Sequence, residues 1–196
     1  GESAFFRAPF YPYLLAFLYD VFGHSYLIPR IVQYLLGSFT VVFVYFLTRR
    51  VFGKQSAVLA SLFACLYAPL VYFEGELLFE SLLVFLCTGF CLLWLKAAER
   101  DSFVWWLGCG LVLGFVCITR PPFIALIVPL FVFSVWTFLK EKDWRRIKTI
   151  ALALFIGVAI PIAPIAIRNY IVGDDVVLIS SQGGVNFYIG NNEFAD

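Results

Sequence analysis

Six apolar runs dominate this chain, and each is long enough to cross the hydrocarbon core of a bilayer as a helix. They cover residues 31–48, 56–73, 77–95, 103–119, 123–139 and 149–167. Backbone polar groups find no water partner inside a bilayer, so each run is predicted to be helical. Prolines inside three of the runs predict kinks that neighbouring helices tolerate: Pro69, Pro129, Pro161 and Pro164.

The composition agrees with a membrane protein. Of the 196 residues, 62% are hydrophobic and 14% are charged, with a mean hydropathy of +0.92. A water-soluble domain carries about 45–50% apolar and about 25% charged residues, so a soluble globule is excluded. Disorder is excluded as well, since it requires low hydrophobicity. The net charge of +1 argues against a nucleic-acid partner.

Lysines and arginines divide unequally between the two sides that the runs define. Ten lie on one side: Arg49, Arg50, Lys54, Lys96, Arg100, Lys140, Lys142, Arg145, Arg146 and Lys148. The other side holds four, namely Arg7, Arg30, Arg120 and Arg168. The positive-inside rule therefore places the first group in the cytoplasm and both ends of the chain outside it.

The predicted fold is an all-α polytopic membrane protein of about six transmembrane helices. Residues 1–27 form an external loop whose aromatic segment 9–22 is too short to span and is predicted as an interfacial helix. Residues 28–168 form the transmembrane bundle. Residues 169–196 begin an external loop or domain containing β structure, with strands predicted at 176–181 and 185–189. With no methionine and a polar, loop-like end, the chain is interpreted as an internal piece of a longer protein with at least one helix upstream.

Three glutamates lie at the external junction between the second and third runs. Glu76 and Glu80 are four residues apart and are predicted to share a helix face. Glu80 falls inside the apolar run, where an ionised carboxylate costs at least a few kcal/mol unless it faces a wet cavity or a partner. Glu74 is interpreted more simply as a solvated loop acid. For Glu76, a solvated loop acid and a functional carboxylate are equally good interpretations.

The external arginines run against the charge asymmetry, so each needs a reason. Arg120 lies in a tight turn before two prolines, Arg168 ends the last run, and Arg7 precedes the aromatic segment. A guanidinium binds phosphate in a fork geometry and stays charged, so the set suits a phosphate-bearing lipid headgroup. Anchoring to membrane phosphates is the ordinary alternative for any one of them, and it is preferred for Arg30.

Several sequence strings resemble membrane glycosyltransferases of glycosyltransferase family 39, the protein O-mannosyltransferase and aminoarabinose-transferase type with the C-type fold. The matching strings are FFRAPFYPYLLA at 5–16, RIVQYLLG at 30–37, TRRVFG at 48–53, ACLYAPLVYFEGELLFE at 64–80, GFVCITRP at 114–121, IRNY at 167–170 and SSQGGVNFYIGNN at 180–192. Each string is short, and their order and spacing carry the likeness over nearly the whole chain.

The resemblance implies an inverting hexosyl or pentosyl transfer from a polyprenyl-phosphate carrier to a protein, lipid or glycan acceptor on the non-cytoplasmic side. The family's catalytic aspartate follows its first membrane helix. No residue here matches it, so we expect it upstream of Gly1 and expect this piece to be inactive alone. Arg7, Arg120 and Arg168 match basic positions and become the predicted donor phosphate-binding residues. Four residues are predicted to orient substrate: Glu76, Glu80, Tyr11 and Asn169.

Two alternatives from other classes stay open. A transporter or flippase of lipid-linked or amphiphilic substrates also needs buried charge, but no internal inverted repeat is visible. A scaffolding subunit leaves Glu80 unexplained. The cysteines, all within apolar runs, have no metal-ligand spacing, so no metal site or cofactor is predicted, and a divalent metal requirement stays open. The predicted location is the cell (inner) membrane, among membrane lipids, with the site facing the periplasm or exterior.

Overall fold

Seven α-helices of eight or more residues and one 3-10 turn dominate the described part of the chain. The computed structural model describes residues 5, 7–100, 102–130, 132–133, 144–173, 176–181 and 188–191. The longer α-helices are α1 (Phe10–Phe22), α2 (Leu27–Phe52), α3 (Lys54–Leu66), α4 (Ala68–Gly75), α5 (Glu80–Arg100), α6 (Phe103–Thr119) and α7 (Trp144–Gly173). The 3-10 turn, Pro121–Leu126, begins the short helix Pro121–Leu130.

Three of these helices are long and apolar enough to cross a membrane: α2, α5 and α7. The bent pair α3 and α4 makes a fourth if it counts as one span. Two predicted runs correspond to shorter apolar helices, α6 and Pro121–Leu130, and the rest of run 123–139 lies almost wholly outside the described residues. The all-α membrane fold is therefore confirmed, and the number of six spans stays a prediction.

Local sequence explains where the helices break. Gly23 and Gly53 follow α1 and α2 with φ of 80° and 85°, a conformation that glycine adopts without steric cost. Tyr67 is extended and Pro69 stands in the first turn of α4, so α3 and α4 meet at a 48° bend. The kink predicted at Pro69 is thus confirmed. The long helix α7 continues through Pro161 and Pro164.

The centre of the bundle is the pair α6 and α7, which run parallel. Gly110 packs on Leu154 and Gly157, and Gly114 packs on Val158 and Pro161. The predicted small-residue packing at Gly110 and Gly114 is therefore confirmed. Around it, the buried core includes Trp106, Cys109 and Ile150 nearer one end and Leu113, Cys117 and Ile165 nearer the other.

Adding a methyl group at Gly110 is expected to destabilise the bundle. An alanine Cβ there would lie 2.5 Å from the Leu154 carbonyl oxygen and 3.0 Å from the Gly157 Cα. Such overpacking costs about 1–3 kcal/mol, which exceeds the higher helix propensity of alanine. Thermal unfolding in detergent should show a lower midpoint for Gly110→Ala. Gly108→Ala is the control, because a Cβ at Gly108 meets nothing within 4 Å. Equal midpoints in both variants would contradict the packing described here.

The strand predicted at 176–181 is not present. These residues are irregular, and the described residues 188–191 are helical where a second strand was predicted. Residues 185–187 lie outside the described part of the chain. The reason is that the backbone of 176–181 has other partners: the Asn169 amide Nδ2 donates to Val177 O and Ile179 O, and Ser181 N donates to Phe5 O. With these groups occupied, no ladder forms along this segment.

Candidate functional site

One end of the bundle gathers most of the predicted site residues. Here α2 and α5 begin, and α4, α6 and α7 end. Contacts across this end join Gln33 to the turn after α4, Phe79 to Arg120, and Phe5 to Arg168. We call this end the rim, defined by Tyr11, Gln33, Glu76, Glu80, Arg120, Arg168 and Asn169.

Gln33 is the polar centre of the rim, and the sequence analysis did not single it out. Its side chain is 2% exposed. Its amide Nε2 faces three backbone carbonyls, Glu76 O at 2.8 Å, Leu78 O at 3.1 Å and Phe73 O at 3.4 Å. Its Oε1 accepts from the Tyr11 hydroxyl at 3.3 Å. Gln33 thus ties α1 and α2 to the turn 76–79. A lone glutamine in an apolar run was the sequence feature that could have identified it.

Tyr11 is a neutral donor in this network. Burial, together with smaller effects of the nearby Tyr19 and Glu80, raises the pKa of its hydroxyl to about 12, because each disfavours a negative charge on the phenolic oxygen. The hydroxyl therefore stays protonated at neutral pH and donates a hydrogen bond to Gln33 Oε1. Phe10 beside it packs on Phe115 of α6, with ring centroids 4.9 Å apart.

Glu80 begins α5, where the helix dipole favours a carboxylate. Its Oε2 is buried and has no hydrogen-bond partner in the described structure. Together with Glu74, Glu80 lines a cavity of about 210 Å³ between α2, α4 and α5. Ser81 and Thr40 add hydroxyl groups to the lining, although both hydroxyls donate to backbone carbonyls.

Two predictions about the glutamates are wrong. Glu76 shares no helix with Glu80, because α4 ends at Gly75 and Glu76 is extended in the turn before α5. Gln33 satisfies the carbonyls of that turn, which removes the need for helix there. Glu74 is not a loop acid: it lies in α4, and its carboxylate packs in the space left by the absent side chain of Gly37.

Arg120 stands directly after α6 with an extended backbone, ahead of two prolines. Its side chain is exposed, and its guanidinium carbon lies 6.0 Å from the centre of the Phe79 ring. A cation over an aromatic face is held with about 0.5–1 kcal/mol at an exposed site. Within the described part of the chain, Arg120 forms no ion pair. The Phe79 ring therefore orients the Arg120 guanidinium, and its charge remains available to bind an anion.

Arg168 repeats this arrangement at the end of α7. Its guanidinium carbon lies 5.2 Å from the centre of the Phe5 ring, and Nη1 donates to Asn169 Oδ1 at 3.3 Å. Asn169 is 1% exposed and is the side chain that holds 176–181 against α7. Arg7 is exposed, and the structure gives it no hydrogen bond or ion pair with other described residues. The structure thus brings Arg120 and Arg168 to one end of the bundle and leaves Arg7 apart from their contacts.

The described residues form no recognisable metal-binding site. Over the described residues, no group of three or more histidine, cysteine, aspartate or glutamate side chains lies close enough to hold a metal ion. The rim supplies two arginines that can bind an anion. The adjoining cavity has the carboxylates of Glu74 and Glu80, which can accept hydrogen bonds from hydroxyl groups.

Comparison with known protein families identifies a relationship. The model of the dolichyl-phosphate-mannose-protein mannosyltransferase family matches residues 7–167. No curated protein and no solved structure matches the chain. The family match covers well over half of the sequence and spans every rim residue except Arg168 and Asn169. The chain therefore belongs to the dolichyl-phosphate-mannose-protein mannosyltransferase family, a family of membrane glycosyltransferases.

Proposed function

We propose that this protein transfers a sugar from a polyprenyl-phosphate carrier to a protein, lipid or glycan acceptor, with inversion at the anomeric carbon. Family membership supports a membrane glycosyltransferase with a lipid-linked donor in general terms. The charge asymmetry of the sequence supports a reaction on the non-cytoplasmic side of the cell membrane. The rim supplies the chemistry that such a donor requires.

The observation that carries the proposal is the pair of rim arginines held over aromatic rings. When the sugar leaves its carrier, negative charge grows on the departing lipid phosphate. Positioned cations stabilise that charge more in the transition state than in the ground state, which accelerates the reaction. Arg120 and Arg168 lie over Phe79 and Phe5 and are not neutralised by a described carboxylate. Arg7, in the same external region of the sequence, is assigned to the same phosphate.

The carboxylates have a different task in this proposal. Glu80 Oε2 is an unused acceptor at the cavity, and sugar hydroxyls are donors of matching chemistry. Tyr11, Glu76 and Asn169 act less directly: the hydroxyl, carbonyl and amide of these residues hold the segments that carry Glu80 and Arg168. The general base that activates the acceptor is not assigned to any of these residues.

The donor can be tested in membranes from cells that express the natural protein. We expect radiolabelled sugar to move from a polyprenyl phosphate to the acceptor fraction, and NMR should show an inverted anomeric linkage. The same sugar on a nucleotide should give no transfer once polyprenyl phosphate is removed. Transfer from the nucleotide sugar without the lipid would contradict the proposed donor. Movement of the labelled lipid across the membrane without sugar transfer would favour the transporter alternative.

Labelling of intact cells tests the side of the reaction. Cysteine introduced at Leu78, next to the rim, should react with an impermeant maleimide in intact cells, whereas cysteine at the exposed Gln55 should not. The unmodified protein gives the background from its own cysteines. The reverse pattern would move the rim to the cytoplasm and remove the proposed sidedness.

A further inference from the structure

A second cavity lies at the opposite end of α2 and α5, far from the rim. It has a volume of about 630 Å³ and is lined by Phe43, Phe46, Arg49, Arg50, Leu92 and Lys96. Gln33 and Arg49 are sixteen residues apart on α2, which corresponds to about 24 Å along the helix axis. The cavity is therefore separate from the proposed transferase site.

The charges of this cavity are positive and only partly compensated. Arg50 forms an ion pair with Glu99 of α5. Lys96 Nζ lies 5.6 Å from the centre of the Trp105 ring, which holds the ammonium without neutralising it. Arg49 has no ion pair with any residue that the structure describes. Three cations against one carboxylate leave an excess of two positive charges at the mouth of the cavity.

The remaining walls are apolar. Phe43 and Phe46 come from α2 and Leu92 comes from α5, and Phe43 stacks on Phe85 deeper in the bundle at 5.3 Å between ring centroids. The cavity thus has a cationic edge and an apolar wall continuing along the helices. An anionic lipid has the complementary division into a phosphate headgroup and acyl chains. Basic pockets between transmembrane helices bind such headgroups.

We propose that this cavity binds an anionic glycerophospholipid, with its phosphate between Arg49 and Lys96 and its acyl chains along Phe43, Phe46 and Leu92. Arg50 stays paired with Glu99. The lipid bridges the ends of α2 and α5 without taking part in sugar transfer.

Binding can be measured on the purified full chain in detergent by titration with short-chain phosphatidylglycerol or phosphatidylcholine. Phosphatidylglycerol should bind in a saturable manner and phosphatidylcholine should bind at least ten-fold more weakly. Near a membrane surface each lysine or arginine contributes about 1 kcal/mol, so Arg49→Gln and Lys96→Gln should each weaken binding about five-fold. Lys54→Gln is the matched control, because Lys54 is exposed just beyond α2 and does not line the cavity.

Three outcomes would overturn the proposal. Equal affinity for the two lipids would show that a net negative headgroup is not required, and an equal loss in Lys54→Gln would reduce the effect to general surface charge. If inorganic phosphate, at the same concentration as the lipid, displaced phosphatidylglycerol, the site would be assigned to a free anion. If Arg49→Gln or Lys96→Gln lowers protein yield, Leu92→Trp is the second variant. It keeps every charge and fills the apolar wall, and unchanged phosphatidylglycerol binding in it would exclude the cavity as the site.

Discussion

Replacing Arg120 with alanine is expected to lower the turnover of sugar transfer by about 100- to 1,000-fold, the loss typical of a positioned group that stabilises charge in a transition state. The guanidinium stands at the end of α6, over the Phe79 ring and next to the head of α5 that carries Glu80. It contributes little to folding, since it is exposed and makes no described ion pair. Activity should therefore fall while the amount of protein in the membrane stays normal.

The shape of the guanidinium matters in this expectation as well as its charge. Arg120→Lys should recover only part of the activity, because an ammonium cannot reproduce the two parallel hydrogen bonds of the fork. Arg145→Ala, an exposed arginine in the first turn of α7 at the other end of the bundle, serves as the control and should retain activity. Normal turnover in Arg120→Ala, or an equal loss in Arg145→Ala, would exclude Arg120 from the phosphate site.

The helical framework could be predicted because the bilayer allows few solutions. Continuous apolar runs had to become helices, and those runs correspond to α2, the pair α3 and α4, α5 and α7. Pro69 indicated the bend between α3 and α4, and Gly110 and Gly114 indicated a close helix contact. These predictions depend on local properties, namely hydropathy, proline geometry and side-chain size. The family could be identified from short strings in a fixed order, and the family match confirms that resemblance.

The rim could be predicted only in part, because its geometry depends on contacts between distant segments. The sequence of residues 74–80 alone does not show that the helix ends before Glu76. The helix ends there because Gln33, more than forty positions earlier, donates hydrogen bonds to the carbonyls of the turn. Likewise, the position of Glu74 depends on a glycine in another helix. The strand predicted at 176–181 failed for a similar reason, since Asn169 takes carbonyls that a neighbouring strand would need.

Replacing Gln33 with leucine is expected to destabilise the folded protein by about 2–4 kcal/mol. The substitution leaves a shorter, apolar side chain and removes the amide that faces the carbonyls of Glu76 and Leu78. Each buried carbonyl left without a donor costs about 1–3 kcal/mol. Phe73 O loses less, because Ser81 Oγ also donates to it at 3.0 Å. The Tyr11 hydroxyl loses its acceptor in the same step.

Gln55→Leu provides the matched control, since Gln55 is exposed on α3 and the substitution is the same. Thermal or denaturant unfolding in detergent should show a large loss of stability for Gln33→Leu and almost none for Gln55→Leu. Tyr11→Phe should give a smaller loss of about 1 kcal/mol, because it removes only one hydrogen bond from the network. The turn 76–79 leads into Glu80, so Gln33→Leu should also reduce sugar transfer at temperatures where the variant stays folded. Equal stability of the Gln33 and Gln55 variants would show that the network does not hold the rim together.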